Sequence, residues 1–352
     1  MSTPRSGRRA ARAQRAAGGA SSPRWWTTPA VQRTWWWFKR LAPWCLAALV
    51  LALVARQARA VDWPAVWQAL QSLSPARLAA AAALALASYG LFASFDLLGR
   101  RLTGHRLSAA RTLGIAAISY AFNLNFGAWV GSVGLRLRLY SRWGLAVPTV
   151  LQVMAYSLAT NWLGYLWVGG AVLWWAPPRL PATWQLPDTA LQAAGGVMLA
   201  AALAYLALCR CARRRRLTWR TRTLVLPSGR VAVLQAVMGG ANWLLIGAIA
   251  WGLLGGRIDY ASVLGTMLLA AVAGVVTHVP ANLGVLEAVV VATLGSRLPA
   301  HELLAAMLAY RAAYYLLPLV FALPAYALSE AAARGRPGPS KRPAAGAPPQ
   351  VV

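Results

Sequence analysis

Acidic residues are scarce in this chain: seven Asp and Glu stand against 35 Lys and Arg in 352 residues. Charge of either sign is also low, at 12%, whereas hydrophobic residues make up 59%. That balance excludes an ordinary soluble globular protein. Several stretches exceed the roughly 18 apolar residues that a membrane-crossing helix needs. We therefore expect an all-α polytopic membrane protein.

Cysteine and catalytic motifs are equally sparse. The three cysteines, Cys45, Cys209 and Cys211, provide neither a disulfide framework nor a four-ligand metal site. The pair His301-Glu302 lacks the second histidine of a zinc motif, and the sequence contains no phosphate-binding loop or nucleophile elbow. We expect no catalytic residues, no metal and no other cofactor.

The net charge of +28 is high enough to suggest a nucleic-acid partner, but its distribution argues against one. The arginines lie in the tails and in short loops between apolar segments, a pattern that orients membrane helices with their basic loops in the cytoplasm. We expect no binding to nucleic acid. Residues 1–40 are predicted to form a basic, disordered cytoplasmic tail, and residues 331–352 a second disordered cytoplasmic tail.

Between these tails, residues 41–330 form the predicted membrane domain, with inverted halves at roughly 41–208 and 231–328. About six full spans are predicted, at residues 41–55, 77–98, 148–175, 189–208, 231–254 and 302–328. A short amphipathic segment at 62–70 is expected to lie flat on the outer face, because tryptophan favours the membrane interface.

A polar break interrupts the next hydrophobic segment at Asn123, Asn125 and Gly127. Backbone groups released from a helix find no water in lipid, so such a break must be buried in protein or line a cavity. The basic loops on both sides of the segment are predicted to be cytoplasmic. The limbs, 113–122 and 126–135, each reach only about 15 Å, half of a hydrocarbon core of about 30 Å. We predict a re-entrant hairpin from the cytoplasm.

A second break lies at 278–284, in the sequence HVPANLG. The surrounding segment, 261–296, is predicted to begin and end outside, and its return limb, 284–295, reaches only about 18 Å. It is therefore predicted to be a hairpin of the opposite direction. About six full spans with two oppositely directed re-entrant hairpins, or eight helical segments, make an inverted-repeat architecture of the kind built around a midplane site.

The return limb of each hairpin is predicted to begin near the middle of the bilayer. Its N-terminus presents unpaired amides and a partial positive charge, and two such ends facing one cavity form a site suited to phosphate or carboxylate. The candidate binding residues are Asn123, Asn125, Gly127 and Asn282. The alternative is that the asparagines only cap the limbs and satisfy the broken backbone.

Two charged residues lie deep in the second half: Glu287 follows the break by about one turn, and Arg311 lies within an apolar stretch. Charges at such depth usually pair or face water, so we predict an ion pair, with Tyr310 and Tyr314 on the same face as Arg311. The pair is either purely structural or part of gating or headgroup binding. His278 is placed either to titrate near neutral pH or to be a structural histidine.

The first half contributes further candidates. Asn161 and Tyr165 are candidate substrate-binding residues on a long helix, and an Asn-Trp pair recurs at Asn242 in the second half. Asp96 is close enough to Arg100 in sequence for an ordinary pair at the membrane boundary.

Three arginines follow the first hairpin: Arg136, Arg138 and Arg142. They are predicted to lie on an inner-face surface beside the mouth of the cavity. One interpretation is that they set topology and attract anionic lipid, at roughly 1 kcal/mol per arginine. The other is that Arg136 and Arg138 form an access site for a lipid headgroup.

Several stretches together carry a resemblance to a known family: VDWPAVW, SYGLFASFDLLGR, SYAFNLNFGAWVGSVGLRLRLYSR, TNWLGY, HVPANLGVLEAV and AYRAAYYLLP. Over about residues 40–330 the sequence resembles the lysylphosphatidylglycerol synthase transmembrane-region family. The resemblance implies a bacterial inner-membrane protein with a flippase-like domain, which in bifunctional relatives is associated with moving aminoacylated phospholipid. The short sequence after Leu328 leaves no room for their aminoacyltransferase domain, so we expect no synthase activity and no enzyme.

We expect a multi-pass protein with both termini in the cytoplasm. Its expected partners are membrane phospholipids: it would bind an anionic or aminoacylated phospholipid headgroup, or a polyprenyl phosphate, in the midplane cavity. Without an ATP-binding motif, movement would be downhill or coupled to an ion. One alternative is a non-catalytic membrane partner or regulator of a lipid-synthesis enzyme. Another is a secondary transporter of a small anionic solute.

Overall fold

A computed structural model describes residues 62–180, 187–212, 216–219, 222–277 and 279–334. Several expectations lie outside these residues: the tail 1–40, the first span 41–55, His278 and most of the tail 331–352.

Helices account for nearly all of the described chain. They are α1 (Trp63–Gln71), α2 (Pro75–Thr103), α3 (Ala109–Phe126), α4 (Arg136–Arg142), α5 (Val147–Trp175), α6 (Asp188–Cys211), α7 (Gly229–Leu253), α8 (Tyr260–Thr277), α9 (Val285–Leu294), α10 (Ala300–Arg311) and α11 (Leu317–Arg334). Serine residues cap the N-termini of α2, α3 and α7. The side chains of Ser74, Ser108 and Ser228 each accept a hydrogen bond from the backbone amide of the residue three positions later. A π-helical segment, Ala312–Leu316, joins α10 to α11 without a break.

Within the part of the chain that the structure describes, five stretches are long and apolar enough to cross a membrane: α2, α6, α7, α8 and Ala300–Ala331. The predicted all-α polytopic membrane protein is confirmed. The predicted spans at 77–98, 148–175 and 189–208 each fall within one helix of the structure. The span at 231–254 extends one residue beyond α7, and the span at 302–328 lies within the continuous stretch from α10 to α11. Helix α8 is among these five stretches, although the sequence predicted it to be one limb of a re-entrant hairpin that does not cross the membrane.

The core is built on α2, α5 and α7, which pack against one another. Gly164 of α5 meets Gly239 of α7 so closely that a Cβ on Gly164 would lie 2.1 Å from the carbonyl carbon of Gly239. Small residues at such crossings allow two backbones to approach, which is how membrane helices gain packing without a hydrophobic drive. Helix α3 packs on α2, and the segments of both breaks contact α3.

The amphipathic segment at 62–70 forms α1 as predicted. Asp62 caps it by accepting from the Ala65 amide over 3.1 Å. Val66 is buried, whereas Trp63 and Trp67 are 49% and 60% exposed. One face of α1 therefore packs on the protein, and its tryptophans remain available to the membrane interface.

The chain reverses direction at the first break, and the turn lies at the end of the predicted break, at Gly127. Helix α3 continues through Asn123 and Asn125 to Phe126, and Gly127 follows it with a φ of 86° that suits glycine. The chain then returns through a π-helical segment, Trp129–Leu135, and α4. Gly131 packs so tightly on α3 that a Cβ there would lie 1.9 Å from the Asn123 amide nitrogen. The predicted limb end at residue 122 is therefore wrong.

The two ends of this hairpin lie side by side. The guanidinium of Arg111, at the start of α3, stacks 4.1 Å from the ring centre of Trp143, just after α4. This cation–π contact closes the base of the hairpin.

The second hairpin has limbs of unequal length. Helix α8 has 18 residues, about 27 Å of helix, whereas the return helix α9 has 10, about 15 Å. Between them lies a short 3₁₀ turn, Pro280–Asn282, at the position predicted for the break. Its base is also closed, since Arg297 pairs with Asp259 and donates to Ser262 over 3.1 Å.

A two-stranded antiparallel hairpin was not predicted. Its strands are β1 (Arg216–Trp219) and β2 (Arg222–Val225), with Arg216 opposite Val225. The hydroxyl of Tyr156 donates to the Val225 carbonyl over 2.7 Å. The basic loop between α6 and α7 is thereby attached to α5.

Candidate functional site

The two breaks meet in the folded chain, because α3 contacts both the 3₁₀ turn of the second break and the π-helical segment after α10. Asn125 forms the most direct link. Its amide nitrogen donates to the Ala121 carbonyl at 2.9 Å and to the Tyr315 carbonyl at 3.1 Å. The second bond explains why Asn125 is tolerated inside a helix, since its amide is satisfied by the neighbouring element.

The predicted ion pair between Glu287 and Arg311 is confirmed. Arg311 Nε pairs with Glu287 Oε1, and Nη2 donates to Oε2 over 2.9 Å, so the contact is bidentate. The side chains are only 11% and 16% exposed, respectively. A bidentate arginine–carboxylate pair supplies two charge-assisted hydrogen bonds in a fixed geometry.

Arg311 also holds the backbone of the second break. Its Nη1 donates to the Ala281 carbonyl and its Nη2 to the Asn282 carbonyl, both over 2.7 Å. Ala281 and Asn282 have φ values of 54° and 56°, in the left-handed region that non-glycine residues rarely occupy. Each such residue costs on the order of 1–3 kcal/mol, so the arginine stabilises a turn that the local sequence disfavours.

The N-terminus of α9 already has an anion. Glu287 Oε2 accepts the Gly284 amide over 3.0 Å while its carboxylate faces Arg311. The partial positive charge of a helix start favours this placement. The anion that the sequence predicted for this helix end is thus present as a side chain of the protein itself.

The side chain of Asn282 turns towards α8. Its Nδ2 donates to the Ala270 carbonyl over 3.4 Å, and Gly274 makes room for it, since a Cβ there would lie 1.8 Å from Asn282 Oδ1. For Asn125 and Asn282 alike, the amide groups bond backbone carbonyls. This geometry favours the structural alternative for the two asparagines.

Tyrosines connect the site to the helix core. The Tyr314 hydroxyl lies 2.9 Å from that of Tyr120 and 3.3 Å from Ser88 Oγ. Ser88 in turn donates to Asn242 Oδ1 over 2.8 Å. Tyr310 stacks on Tyr314, with ring centres 5.4 Å apart. The sequence analysis identified Tyr310 and Tyr314 as candidates but not Tyr120, Ser88 or Asn242 as their hydrogen-bonding network. The recurring Asn-Trp pair at Asn242 was the one sequence feature that indicated this network.

Asp96 does not pair with Arg100 as expected. Its side chain is fully buried; Oδ1 accepts from Arg136 Nη2 over 3.1 Å and from the Ser157 hydroxyl, and Oδ2 accepts from Tyr140 over 2.8 Å. Arg136 is therefore 3% exposed, and its predicted position on a surface is wrong. A desolvated carboxylate needs several donors, and Arg100 instead donates from Nε to the Leu107 carbonyl over 2.6 Å.

His105 lies beside this cluster, with its ring edge-on to Tyr140 at 6.1 Å between centres. Burial, reinforced by the charge of Arg100, lowers the pKa of His105 below its usual range. The histidine is therefore neutral at pH 7 and adds no charge to the Asp96–Arg136 pair.

The other two predicted arginines converge on one carboxylate. Arg138 and Arg142 reach Glu330 Oε2 of α11 over 3.0 Å and 2.6 Å. The Arg138 side chain is 54% exposed. Of Arg136 and Arg138, Arg138 alone lies on a surface.

Four remaining candidates lie apart from the ion pair or make only backbone contacts. Asn123 is half-buried in the last turn of α3, and its carbonyl accepts the Gly127 amide over 3.0 Å. The Asn161 carbonyl accepts from Trp243 Nε1 over 3.1 Å, and the Tyr165 hydroxyl donates to the Leu268 carbonyl over 3.2 Å. The Asn161 backbone therefore contacts α7, and the Tyr165 side chain contacts α8.

An open groove of about 270 Å³ lies between α2 and α7, lined mainly by alanine, leucine and isoleucine. Arg77 is its one charged lining residue. Neither break lines this groove.

These features define a class of protein: a polytopic α-helical membrane protein in which two helical hairpins meet beside a buried arginine. Comparison with known families is more specific. The family described as lysylphosphatidylglycerol synthase TM region matches residues 40–322, and the chain belongs to this family. The resemblance drawn from the sequence motifs is confirmed.

Two relatives cover most of the chain. The inner membrane protein YbhN of Escherichia coli is 38% identical over 297 residues, which are 84% of this chain and 93% of that protein. The uncharacterized protein slr0712 of Synechocystis sp. is 31% identical over 278 residues, 78% of this chain and 86% of that one.

Proposed function

We propose that this protein moves lipid across the bacterial inner membrane, in the manner of a flippase, by binding an anionic or aminoacylated phospholipid, or a polyprenyl phosphate, through its headgroup. The observation that carries the proposal is Arg311. It is a cation at the meeting point of two helical hairpins, with a bidentate face that suits a phosphate as well as a carboxylate. Charged groups within membrane helices commonly mark substrate pathways.

The family supports the proposal in its coarser form. Its description refers to the membrane region of a lipid-modifying synthase, and the E. coli relative is by name an inner membrane protein. We extend both to this chain: an inner-membrane location and a phospholipid partner. The sequence motifs do not include an ATP-binding loop, so the proposed movement is downhill or coupled to an ion.

Purified protein in vesicles with fluorescent phosphatidylglycerol tests the proposal. Chemical quenching of the outer leaflet should proceed to near completion with wild-type protein and stop at about half without it. Replacing Glu287 and Arg311 together by glutamine should abolish the movement. The matched control replaces another arginine–glutamate pair, Arg257 and Glu302, whose side chains are 50% and 28% exposed, and should leave movement intact.

Two other results would contradict the proposal. Vesicles in which wild-type protein moves no lipid, but retains a lipid-synthesis enzyme at the membrane, would favour the scaffold. Release of trapped inorganic phosphate without lipid movement would favour a transporter of small anions.

The proposed topology places both termini and the base of the first hairpin in the cytoplasm. Single cysteines at Arg106 and Ser141, both exposed, should be labelled from the cytoplasmic side alone, after the native cysteines are replaced. Labelling of the two positions from opposite sides would contradict the re-entrant hairpin.

A further inference from the structure

Glu287 occupies the two donors of Arg311 that are best placed for a phosphate. We infer that Glu287 is an internal competitor: its carboxylate and the phosphate oxygens of an anionic headgroup exchange on the same face of Arg311. This inference rests on the proposed function and adds how the binding site is opened and closed.

The face in question is formed by Nε and Nη2 of Arg311, which hold the two oxygens of Glu287. The oxygens of a phosphate fit the same fork, since arginine binds carboxylate and phosphate bidentately through parallel N–H groups. A phosphodiester therefore replaces the carboxylate without a new geometry.

Arg311 does not depend on Glu287 for its position. The carbonyls of Ala281 and Asn282 each accept one of its N–H groups over 2.7 Å. When the carboxylate leaves, these two bonds keep the guanidinium facing the same way. The arginine is thus a fixed receptor, and the glutamate is the mobile partner.

The departure of Glu287 frees a further donor. The Gly284 amide, at the start of the 10-residue helix α9, is bonded to Glu287 Oε2 over 3.0 Å. A phosphate on Arg311 gains access to this amide and to the positive end of α9. Three donors from two elements, Nε and Nη2 of Arg311 and the Gly284 amide, therefore converge on the exchanged oxygens.

Accessibility separates this pair from the other buried pair. The side chains of Arg311 and Glu287 are 11% and 16% exposed, whereas those of Arg136 and Asp96 are 4% and 0% exposed. A headgroup can reach the first pair and is excluded from the second. Of these two buried arginines, exchange is therefore confined to Arg311.

Competition lowers the apparent affinity by the fraction of time that Arg311 is free. If that fraction is about 10%, removing the competitor raises the affinity about tenfold. The guanidinium faces an anion in both states, the Glu287 carboxylate before exchange and the phosphate after it. That removes the cost of leaving a buried cation unpaired.

Binding of dioleoylphosphatidylglycerol to detergent-purified full-length protein tests the exchange. Glu287→Gln should bind it about tenfold more tightly than wild type, and Glu287→Gln with Arg311→Gln should lose that gain. The control Glu302→Gln frees Arg257, an exposed arginine, and should not change the affinity. Equal affinity of wild type and Glu287→Gln, or an equal gain in the control, would overturn the exchange.

Inorganic phosphate in place of the lipid separates the two sources of the same chemistry. Tighter binding of phosphatidylglycerol but not of free phosphate assigns the site to a headgroup, whereas a gain for both assigns it to phosphate oxyanions in general. Either result supports the exchange.

Wild-type protein provides an independent measurement that does not depend on the folding of a variant. Saturating phosphatidylglycerol should increase modification of Glu287 by dicyclohexylcarbodiimide, because a displaced carboxyl is free to react, and phosphatidylcholine should not. Unchanged or reduced modification would overturn the exchange. Lipid movement with no competition at Glu287 contradicts this inference alone, and tighter binding by Glu287→Gln without lipid movement contradicts the proposed function alone.

Discussion

The two hairpins share the same structural features, but the charges of their ion pairs are placed in opposite order. Each has a break, a base closed by an arginine contact, and a buried arginine–carboxylate pair that ties its return limb to a long helix. In the first hairpin the return limb carries the cation, Arg136, and α2 carries the anion, Asp96. In the second hairpin the return limb carries the anion, Glu287, and α10 carries the cation, Arg311.

The two breaks differ in what stabilises the backbone conformation of the turn. Gly127 adopts its φ of 86° without steric cost, so the first turn requires no help from an ion pair. Ala281 and Asn282 are strained, and their carbonyls are held by Arg311. The first pair is therefore a sealed structural contact, and the second couples an accessible charge to the shape of a turn.

The largest expected effect is on the sealed pair. Asp96→Asn leaves Arg136 charged and buried, and breaking such a pair from one side costs about 3–5 kcal/mol. The unfolding temperature in detergent should fall strongly. Adding Arg136→Gln should restore part of the loss, because it removes the unpaired charge. If Asp96→Asn cost no more than Glu287→Gln, the contrast between the sealed and the accessible pair would be wrong.

Two glycines provide a second contrast between the hairpins. A Cβ on Gly131 would meet the backbone of Asn123 at 1.9 Å, whereas one on Gly274 would meet the side-chain end of Asn282 at 1.8 Å. A side chain rotates away and a backbone does not. Gly131→Ala should therefore cost about 3 kcal/mol and Gly274→Ala about 1 kcal/mol. If Gly131→Ala and Gly274→Ala lowered the unfolding temperature equally, the backbone of the first hairpin would be able to move away from the added Cβ, and this contrast between the hairpins would be wrong.

Removing one member of the accessible pair should cost less than removing Asp96. Glu287→Gln leaves Arg311 with its two backbone carbonyls and some access to water, so we expect a loss of about 2 kcal/mol. The double variant with Arg311→Gln should not show the sum of the single losses, since residues in contact are not additive. Strictly additive shifts in unfolding temperature would contradict the contact.

The smallest expected effect concerns Arg138, which is exposed beyond the first hairpin. If it attracts headgroups towards the breaks, Arg138→Gln should slow the movement of phosphatidylglycerol up to about fivefold, the factor that corresponds to roughly 1 kcal/mol per arginine. Arg101, an exposed arginine in the last turn of α2, provides the control. Equal slowing in Arg138→Gln and Arg101→Gln would reduce Arg138 to a general attraction for anionic lipid.

Much of the fold follows from local sequence. Apolar length sets the helices, so the spans at 77–98, 148–175, 189–208, 231–254 and 302–328 were predicted within a few residues. The break at Gly127 was located, but α3 runs on through Asn123 and Asn125 because the Tyr315 carbonyl, 190 residues away, accepts the Asn125 amide. Contacts of that kind also decide the left-handed turn at Ala281, which Arg311 holds.

The pairing of charges shows where local sequence stops being sufficient. Glu287 and Arg311 are deep in apolar sequence with few charged neighbours, so the cost of burial by itself determined that they pair. Asp96 has several arginines within reach in the chain, and the nearest, Arg100, was the expected partner. The tertiary structure selected Arg136, 40 residues away, because the return limb of the first hairpin packs on α3 and α5, and both of these helices pack on α2. Burial requires a partner, but helix packing decides which one is close enough to provide it.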